Sequence, residues 1–263
     1  MPIKFGPAGI GSVKDVAETF ARYKALRLEA AEIPFTYGIF IRPEQATKVK
    51  MAAMKNGIEL SIHAPYWINL NSKEKRKIEE SKQRILNCCE IGEMLGVKKV
   101  VFHAGFYGGM EKEETYQNIK KEIIEIMEEI KKKKWKIKLA PETMGKINVF
   151  GDASEILRLV DEAGCSFCLD FAHLWAREKG QMSYEKIFEK FNLLNNFHCH
   201  FSGIDFGDKG EKNHKLTSEK EWKSLLNTIS NKDKELVLIN ESPDPIGDSL
   251  LGRKSYEKLS FRR

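Results

Sequence analysis

Short apolar runs alternate with longer amphipathic runs along the whole chain. The short runs fall at 2–6, 25–32, 58–63, 98–103, 136–142, 166–170, 197–202 and 235–241. Several are nearly continuous, as in Val100-Val101-Phe102 and Leu236-Val237-Leu238-Ile239. Strands covered on both faces look this way, as in a parallel sheet, because neither face meets water. The stretches between them, such as 73–95, 112–133, 152–163 and 217–230, are rich in Lys and Glu and predict helices. Asn71-Ser72 precedes the first of these as its expected N-cap.

Eight strand–helix units in 263 residues leave about 33 residues per unit. No Pro-, Gly- or Ser-rich linker divides them. The expected fold is therefore α/β, a single (β/α)8 TIM barrel in one domain over residues 1–263. A doubly wound sheet fits less well. Gly6-Pro7-Ala8-Gly9-Ile10-Gly11 follows the first strand but is not G-x-G-x-x-G, and no acidic residue ends the second strand where that motif needs one.

Composition narrows the setting. Hydrophobic residues are 41% and charged residues 31%, which is globular rather than disordered. No apolar run approaches the roughly 18 residues a membrane helix requires, and Met1-Pro2-Ile3-Lys4-Phe5 lacks a signal core. A cytoplasmic protein without a membrane partner is the expectation. The net charge of +6 suits a polyanionic partner without requiring one. The five cysteines are odd in number and irregularly spaced, so Cys165-x-x-Cys168 reads as buried thiols rather than a zinc knuckle or redox pair.

The chemistry lies at the strand ends. His63, His103, Glu142, Asp170, His200 and Glu241 each stand at or near the end of a predicted strand, with His173 three residues after Asp170. Successive members are roughly one βα unit apart. In a barrel such positions converge on the C-terminal mouth, where these folds place their active sites. That many ionisable groups would be costly to crowd together without bound cations. Imidazole and carboxylate ligands suit Zn²⁺, Mn²⁺ or Fe²⁺, and the set is too large for one ion. Two or three ions are expected, an arrangement suited to phosphate-ester hydrolysis. His198 lies one layer deeper and reads as a core histidine or a support for a ligand.

At these residues the chain resembles the endonuclease IV family of apurinic/apyrimidinic (AP) endonucleases. His63-Ala64-Pro65-Tyr66-Trp67-Ile68-Asn69-Leu70 is similar to the family's HAPYxINL. Phe102-His103-Ala104-Gly105, Glu142-Thr143-Met144-Gly145, Cys168-Leu169-Asp170-Phe171-Ala172-His173, His200-Phe201-Ser202-Gly203 and Asn240-Glu241-Ser242-Pro243 match its later motifs in order. The resemblance implies a barrel holding three zinc ions. His63 and His103 would bind the first, with Glu142 bridging to the second as the catalytic carboxylate. Asp170, His200 and Glu241 would complete the second, and His173 would bind the third. A hydroxide bridging the metals would attack phosphorus 5′ to an abasic site in damaged double-stranded DNA. The family also implies a monomer.

Three segments depart from the family pattern. Its third-zinc loop carries D-x-H, whereas Gly210-Glu211-Lys212-Asn213-His214 offers Glu211 and His214 at E-x-x-H spacing. Its opening GAHVS-like turn is replaced by Phe5-Gly6-Pro7-Ala8-Gly9. Its polar second βα loop is replaced by Glu32-Ile33-Pro34-Phe35-Thr36-Tyr37-Gly38. On the mouth loops, Tyr66 and Trp67, and Tyr107 after His103, are candidates to stack on bases, and Lys146, Lys209, Lys212 and Lys215 to meet phosphates. The competing reading is a sugar isomerase or epimerase of the same barrel superfamily. Such an enzyme would hold one ion with Glu142, Asp170, His200 and Glu241 and would not require both His63 and His103. A non-enzymatic DNA-binding protein is the third reading, and intact strand-end ligands argue against it.

Overall fold

The computed structural model describes residues 3–230 and 232–260. Eight parallel strands form the barrel wall: β1 (Ile3–Pro7), β2 (Ala30–Pro34), β3 (Glu59–His63), β4 (Lys99–Phe102), β5 (Lys138–Pro141), β6 (Leu169–Asp170), β7 (Phe197–Phe201) and β10 (Leu236–Asn240). Between β7 and β10 stands an antiparallel hairpin, β8 (Gly203–Gly207) and β9 (Gly210–Lys215). The helices are α1 (Val16–Ala25), α2 (Pro43–Asn56), α3 (Lys75–Leu95), α4 (Lys112–Lys132), α5 (Ala153–Ala163), α6 (Phe171–Arg177), α7 (Tyr184–Lys190), α8 (Glu219–Ile229) and α9 (Pro245–Ser260).

The wall consists of two four-stranded arcs, β2-β3-β4-β5 and β1-β10-β7-β6. Parallel bridges Ala8–Glu32 and Glu142–Cys168 close the ring at its two seams. The TIM barrel expected from the pattern is therefore the fold. Its main core joins the strands to buried helix faces such as Ile119, Ile123 and Ile126 of α4 and Trp222, Leu225 and Leu226 of α8, while Val101, Ala140 and Cys168 form a small cluster of their own. Helix ends are built by local chemistry. Asp152 and Glu155 form a reciprocal capping box at the start of α5, and Gly57, Gly96 and Gly164 end α2, α3 and α5 in the left-handed region.

Three elements differ from expectation. The second strand begins at Ala30 rather than residue 25, because α1 runs to Ala25 and Arg27 turns the chain at φ 57°. The strand therefore carries Glu32 inside its span rather than on a mouth loop. Asn71-Ser72 does not cap α3, whose N-cap is Glu74. Asn71 is instead buried, and its Nδ2 donates to the Phe106 carbonyl at 2.9 Å and to Thr115 Oγ1 at 3.2 Å, tying two mouth loops together. Finally, residues 210–215, expected as loop, form β9.

Candidate metal centre

The strand ends deliver their side chains as the ring geometry requires. His63 and Asp170 are the last residues of β3 and β6, and His200 is next to last in β7. His103, Glu142 and Glu241 come one residue after β4, β5 and β10. Asp170 also caps α6: its Oδ1 accepts from the His173 amide at 2.7 Å, which sets His173 on the first helical turn facing the same space.

These side chains gather into three groups that could each hold a metal ion: His63, His103 and Glu142; Glu142, Asp170, His200 and Glu241; and His173, Glu211 and His214. Within each group the ligand atoms lie within 4.8 Å of one another. Glu142 belongs to two groups. Its Oε2 is 3.1 Å from Nε2 of both His63 and His103, while its Oε1 is 3.1 Å from His200 Nδ1 and 3.3 Å from His173 Nδ1. Nitrogen and oxygen ligands on a tetrahedral zinc are about 3.3 Å apart, given metal–ligand distances near 2.0–2.1 Å.

The hairpin supplies the last two candidate ligands, Glu211 and His214, through an irregularity. Residues three apart on a regular strand face opposite sides. In β9, however, Asn213 pairs with Asp205 and Glu211 with the adjacent Phe206, so Lys212 is the extra residue of a β-bulge. The bulge returns Glu211 and His214 to one face, and Asn213 is exposed on the other. Glu211 Oε2 then lies 3.5 Å from His173 Nε2, and His214 Nε2 lies 3.4 Å from the same atom. The hairpin is held by a close backbone approach. A Cβ on Gly210, whose φ is +89°, would sit 2.1 Å from the Gly145 carbonyl oxygen, and one on Gly145 would sit 2.7 Å from Glu211 Cβ. Both positions require glycine.

The donor set fits divalent cations. The carbonyls of Ala64 and Thr143 can only accept, so His63 Nδ1 at 2.8 Å and His173 Nδ1 at 3.0 Å donate to them. With Nδ1 committed to those carbonyls, it is Nε2 of each ring that would give up its proton to a metal ion. Asp170 Oδ2 and Glu211 Oε2 are buried without a hydrogen-bond partner. Electrostatics agrees. Burial works against charge on His63, but Glu142, Glu32 and Glu241 outweigh it and push the imidazole up to about 9. Burial likewise opposes ionisation of Glu142, yet His200, His103 and His173 hold it well below the usual carboxylate range. Burial pushes Asp170 up and His103 down. Carboxylates and imidazoles thus hold one another in their charged forms in this cluster.

Comparison with known proteins gives the family of the fold. The sequence profile described as "Xylose isomerase-like TIM barrel" matches residues 20–258. The chain belongs to the xylose isomerase-like TIM barrel family. An uncharacterized protein of Methanocaldococcus jannaschii is 34% identical over 97% of each chain. An apurinic-apyrimidinic endonuclease of Caenorhabditis elegans is 28% identical over 69% of this chain, which spans 50% of that relative's length. Among solved structures, endonuclease IV from Thermus thermophilus superposes with TM-score 0.71 at 18% identity, covering 100% of both chains. A D-tagatose 3-epimerase-like protein superposes with TM-score 0.75 at 19% identity, covering 98% of both.

The other candidate residues lie around the mouth of this xylose isomerase-like barrel. The Tyr66 ring stacks on His103 at 5.5 Å and 20° and stays half exposed; Trp67 is exposed beside it. Tyr37, Phe40 and Phe106 are also exposed on mouth loops. Tyr107 has a different task. Its hydroxyl donates to Glu155, 2.8 Å away, and its ring packs on Phe150. Lys146, Lys209 and Lys212 are exposed around the hairpin, whereas Lys215 pairs with Asp205 at 2.8 Å. All five cysteines are buried and free. Cys168 Sγ lies near His198 and His200, but burial holds its thiol well above the ordinary range. No helix of the described residues is long and apolar enough to cross a membrane.

Sequence reasoning missed Glu32. It is fully buried, its Oε2 accepts from Ser61 Oγ at 2.7 Å and lies 2.8 Å from His198 Nε2, and its Oε1 lies 2.8 Å from His200 Nε2. One signal was available: Glu32 is flanked by Ala30-Ala31 and Ile33 in an otherwise apolar run.

Proposed function

We propose that this protein is a metal-dependent, endonuclease IV-like AP endonuclease that hydrolyses the DNA phosphodiester 5′ to abasic sites during base excision repair. The observation that carries this reading is the presence of His63 and His103 on the far side of Glu142 from Asp170, His200 and Glu241, with His173, Glu211 and His214 as a third group. The ligand sets are then His63, His103 and Glu142; Glu142, Asp170, His200 and Glu241; and His173, Glu211 and His214. The endonuclease relatives support the same reading. Two to three ions are proposed, zinc first, with manganese as the alternative metal.

Bound divalent ions would lower the pKa of a water and offset charge on the entering and leaving oxygens of the phosphodiester. The chain's own residues do the rest. Glu142 presents one oxygen to each of two groups and so sets the spacing between them. The backbone carbonyls of Ala64 and Thr143 hold His63 and His173 with Nε2 facing inward. Tyr66 packs on His103, limits its motion, and keeps an outer face on which a base can stack. Lys146, Lys209 and Lys212, exposed around the hairpin, would meet phosphates. We further propose a cytoplasmic monomer whose single barrel domain covers residues 1–263, with damaged double-stranded DNA as partner.

A second reading has one observation in its favour. Glu142, Asp170, His200 and Glu241 form a complete four-ligand group by themselves, as a one-metal sugar epimerase requires. One experiment separates the two. The protein is incubated with a duplex carrying a single abasic analogue, with and without chelator, beside a ketose epimerisation assay. Chelator-sensitive cleavage 5′ to the lesion is expected. Epimerisation without cleavage would replace the nuclease by the epimerase.

A further inference from the structure

A carboxylate sealed inside a barrel wall is costly unless its oxygens are used. Glu32 uses both. Its side chain sits among Ser61, His198 and His200, on strands β3 and β7, one layer deeper than the metal-competent groups. A carboxylate accepts hydrogen bonds and cannot donate them. With Glu32 ionised, the Nε2 atoms of His198 and His200 that face it must both carry protons. The contact to His200 is the decisive one. Glu32 Oε1 and His200 Nε2 are both buried and face each other at 2.8 Å, an ion-pair contact in which neither atom makes a regular hydrogen bond to any described residue. With its proton on Nε2, His200 presents a bare Nδ1, 3.1 Å from Glu142 Oε1 and 3.4 Å from Glu241 Oε2.

We propose that Glu32 is a positioning residue for the metal centre: held by Ser61 and His198, it fixes the tautomer and ring orientation of His200 so that Nδ1 is the ligating nitrogen. This rests on the reading of His200 as a ligand. Outer carboxylates that steady a ligating histidine typically change metal affinity 10–100-fold when lost. Glu32→Gln is the sharp variant, since it conserves volume but can accept on one oxygen only. Its amide would donate toward one of the two imidazoles and force a proton off the nitrogen facing it. Glu32→Asp keeps both acceptors on a shorter stem.

The test uses the full chain loaded with zinc and labelled with ¹⁵N-histidine. Long-range ¹H–¹⁵N spectra, with the His200 signals identified by their loss in His200→Asn, report which nitrogen carries the proton. The expected result is a proton on Nε2 and metal on Nδ1. Zinc affinity by chelator competition should fall about 10–100-fold in Glu32→Gln, with Glu32→Asp closer to the unaltered protein. A His200 bound to zinc through Nε2 overturns the proposal even if no Glu32 variant folds. So does equal loss in the Gln and Asp variants, which would mean that packing alone is at stake. A protein that takes up no zinc overturns this proposal and the proposed function together. One that holds zinc through Nδ1 yet leaves abasic DNA uncut overturns only the function.

Discussion

The candidate ligands carried by barrel strands and those carried by the hairpin reach the same space by different means. His63, His103, Glu142, Asp170, His200 and Glu241 stand at the ends of hydrogen-bonded neighbours in a closed parallel ring. Their direction follows from strand parity, and their depth from strand register. Glu211 and His214 have no such frame. Two antiparallel strands outside the wall hold them, and they share a face only because Lys212 is bulged out. The ring aims its side chains by a repeated strand geometry; the hairpin needs a bulge to offset its E-x-x-H spacing and two glycines that let it dock. The strand-borne groups should therefore dominate function, and the hairpin should tune it.

The largest expected effect is on the ring. His103→Ala removes one of two imidazoles from the first group, and cleavage of an abasic duplex should fall by about a thousandfold or more while the far-ultraviolet circular dichroism is unchanged. Near-normal cleavage would show that the first group is not used.

Proton competition comes next. His63 is raised to about 9 in the metal-free protein, so below that pH a proton occupies the nitrogen a metal needs. Zinc affinity should climb from about pH 6.5 toward 9, by roughly tenfold per pH unit for each proton displaced. The metal-free fold moves the other way: the raised pKa contributes stability fully below about 6.5 and loses it as pH rises through about 9. Chelator competition and urea melts across that window check both signs.

The hairpin can then be broken selectively. An alanine inserted between Asn213 and His214 turns His214 to the outer face and should cost the third group about tenfold in metal affinity, leaving the other two nearly intact. Metal stoichiometry by mass spectrometry reads this directly. Lys209→Ala and Lys212→Ala test the hairpin's outer surface: each should lower the salt slope of DNA binding by about 0.9 if it meets a phosphate. The smallest effect sharpens the bulge argument. Deleting Lys212 should leave metal content unchanged, because a regular E-x-H strand also puts both ligands on one face. Loss of metal on that deletion would mean that the bulge does more than restore parity. Asn213→His should likewise add no ligand, since that position faces solvent.

Strand-end residues were legible in the sequence because a parallel barrel repeats one geometry. An apolar run of fixed length ending in His, Asp or Glu states where its side chain goes, and His63, His103, Glu142, Asp170, His200 and Glu241 are brought together as that repeat implies. Glu32 was not legible as a site residue. Its strand starts later than the apolar pattern suggested, because Leu26-Arg27-Leu28 serves the end of α1 instead, and its partners lie 29 and 166 residues away in the chain. The spacing of Glu211 and His214 likewise gave the wrong parity until the pairing with β8 revealed the extra residue.

What the amino-acid order alone determined was the alternation of buried strands and amphipathic helices, the ring it closes into, and the set of imidazoles and carboxylates at its rim. These follow from local periodicity, which each segment carries within itself. Only the tertiary structure decided that Glu142 faces two groups, that a bulge turns Glu211 back toward His173, and that Glu32 reaches across to His200. Those are relations between segments far apart in the chain, set by register and closure, and no window of sequence contains them.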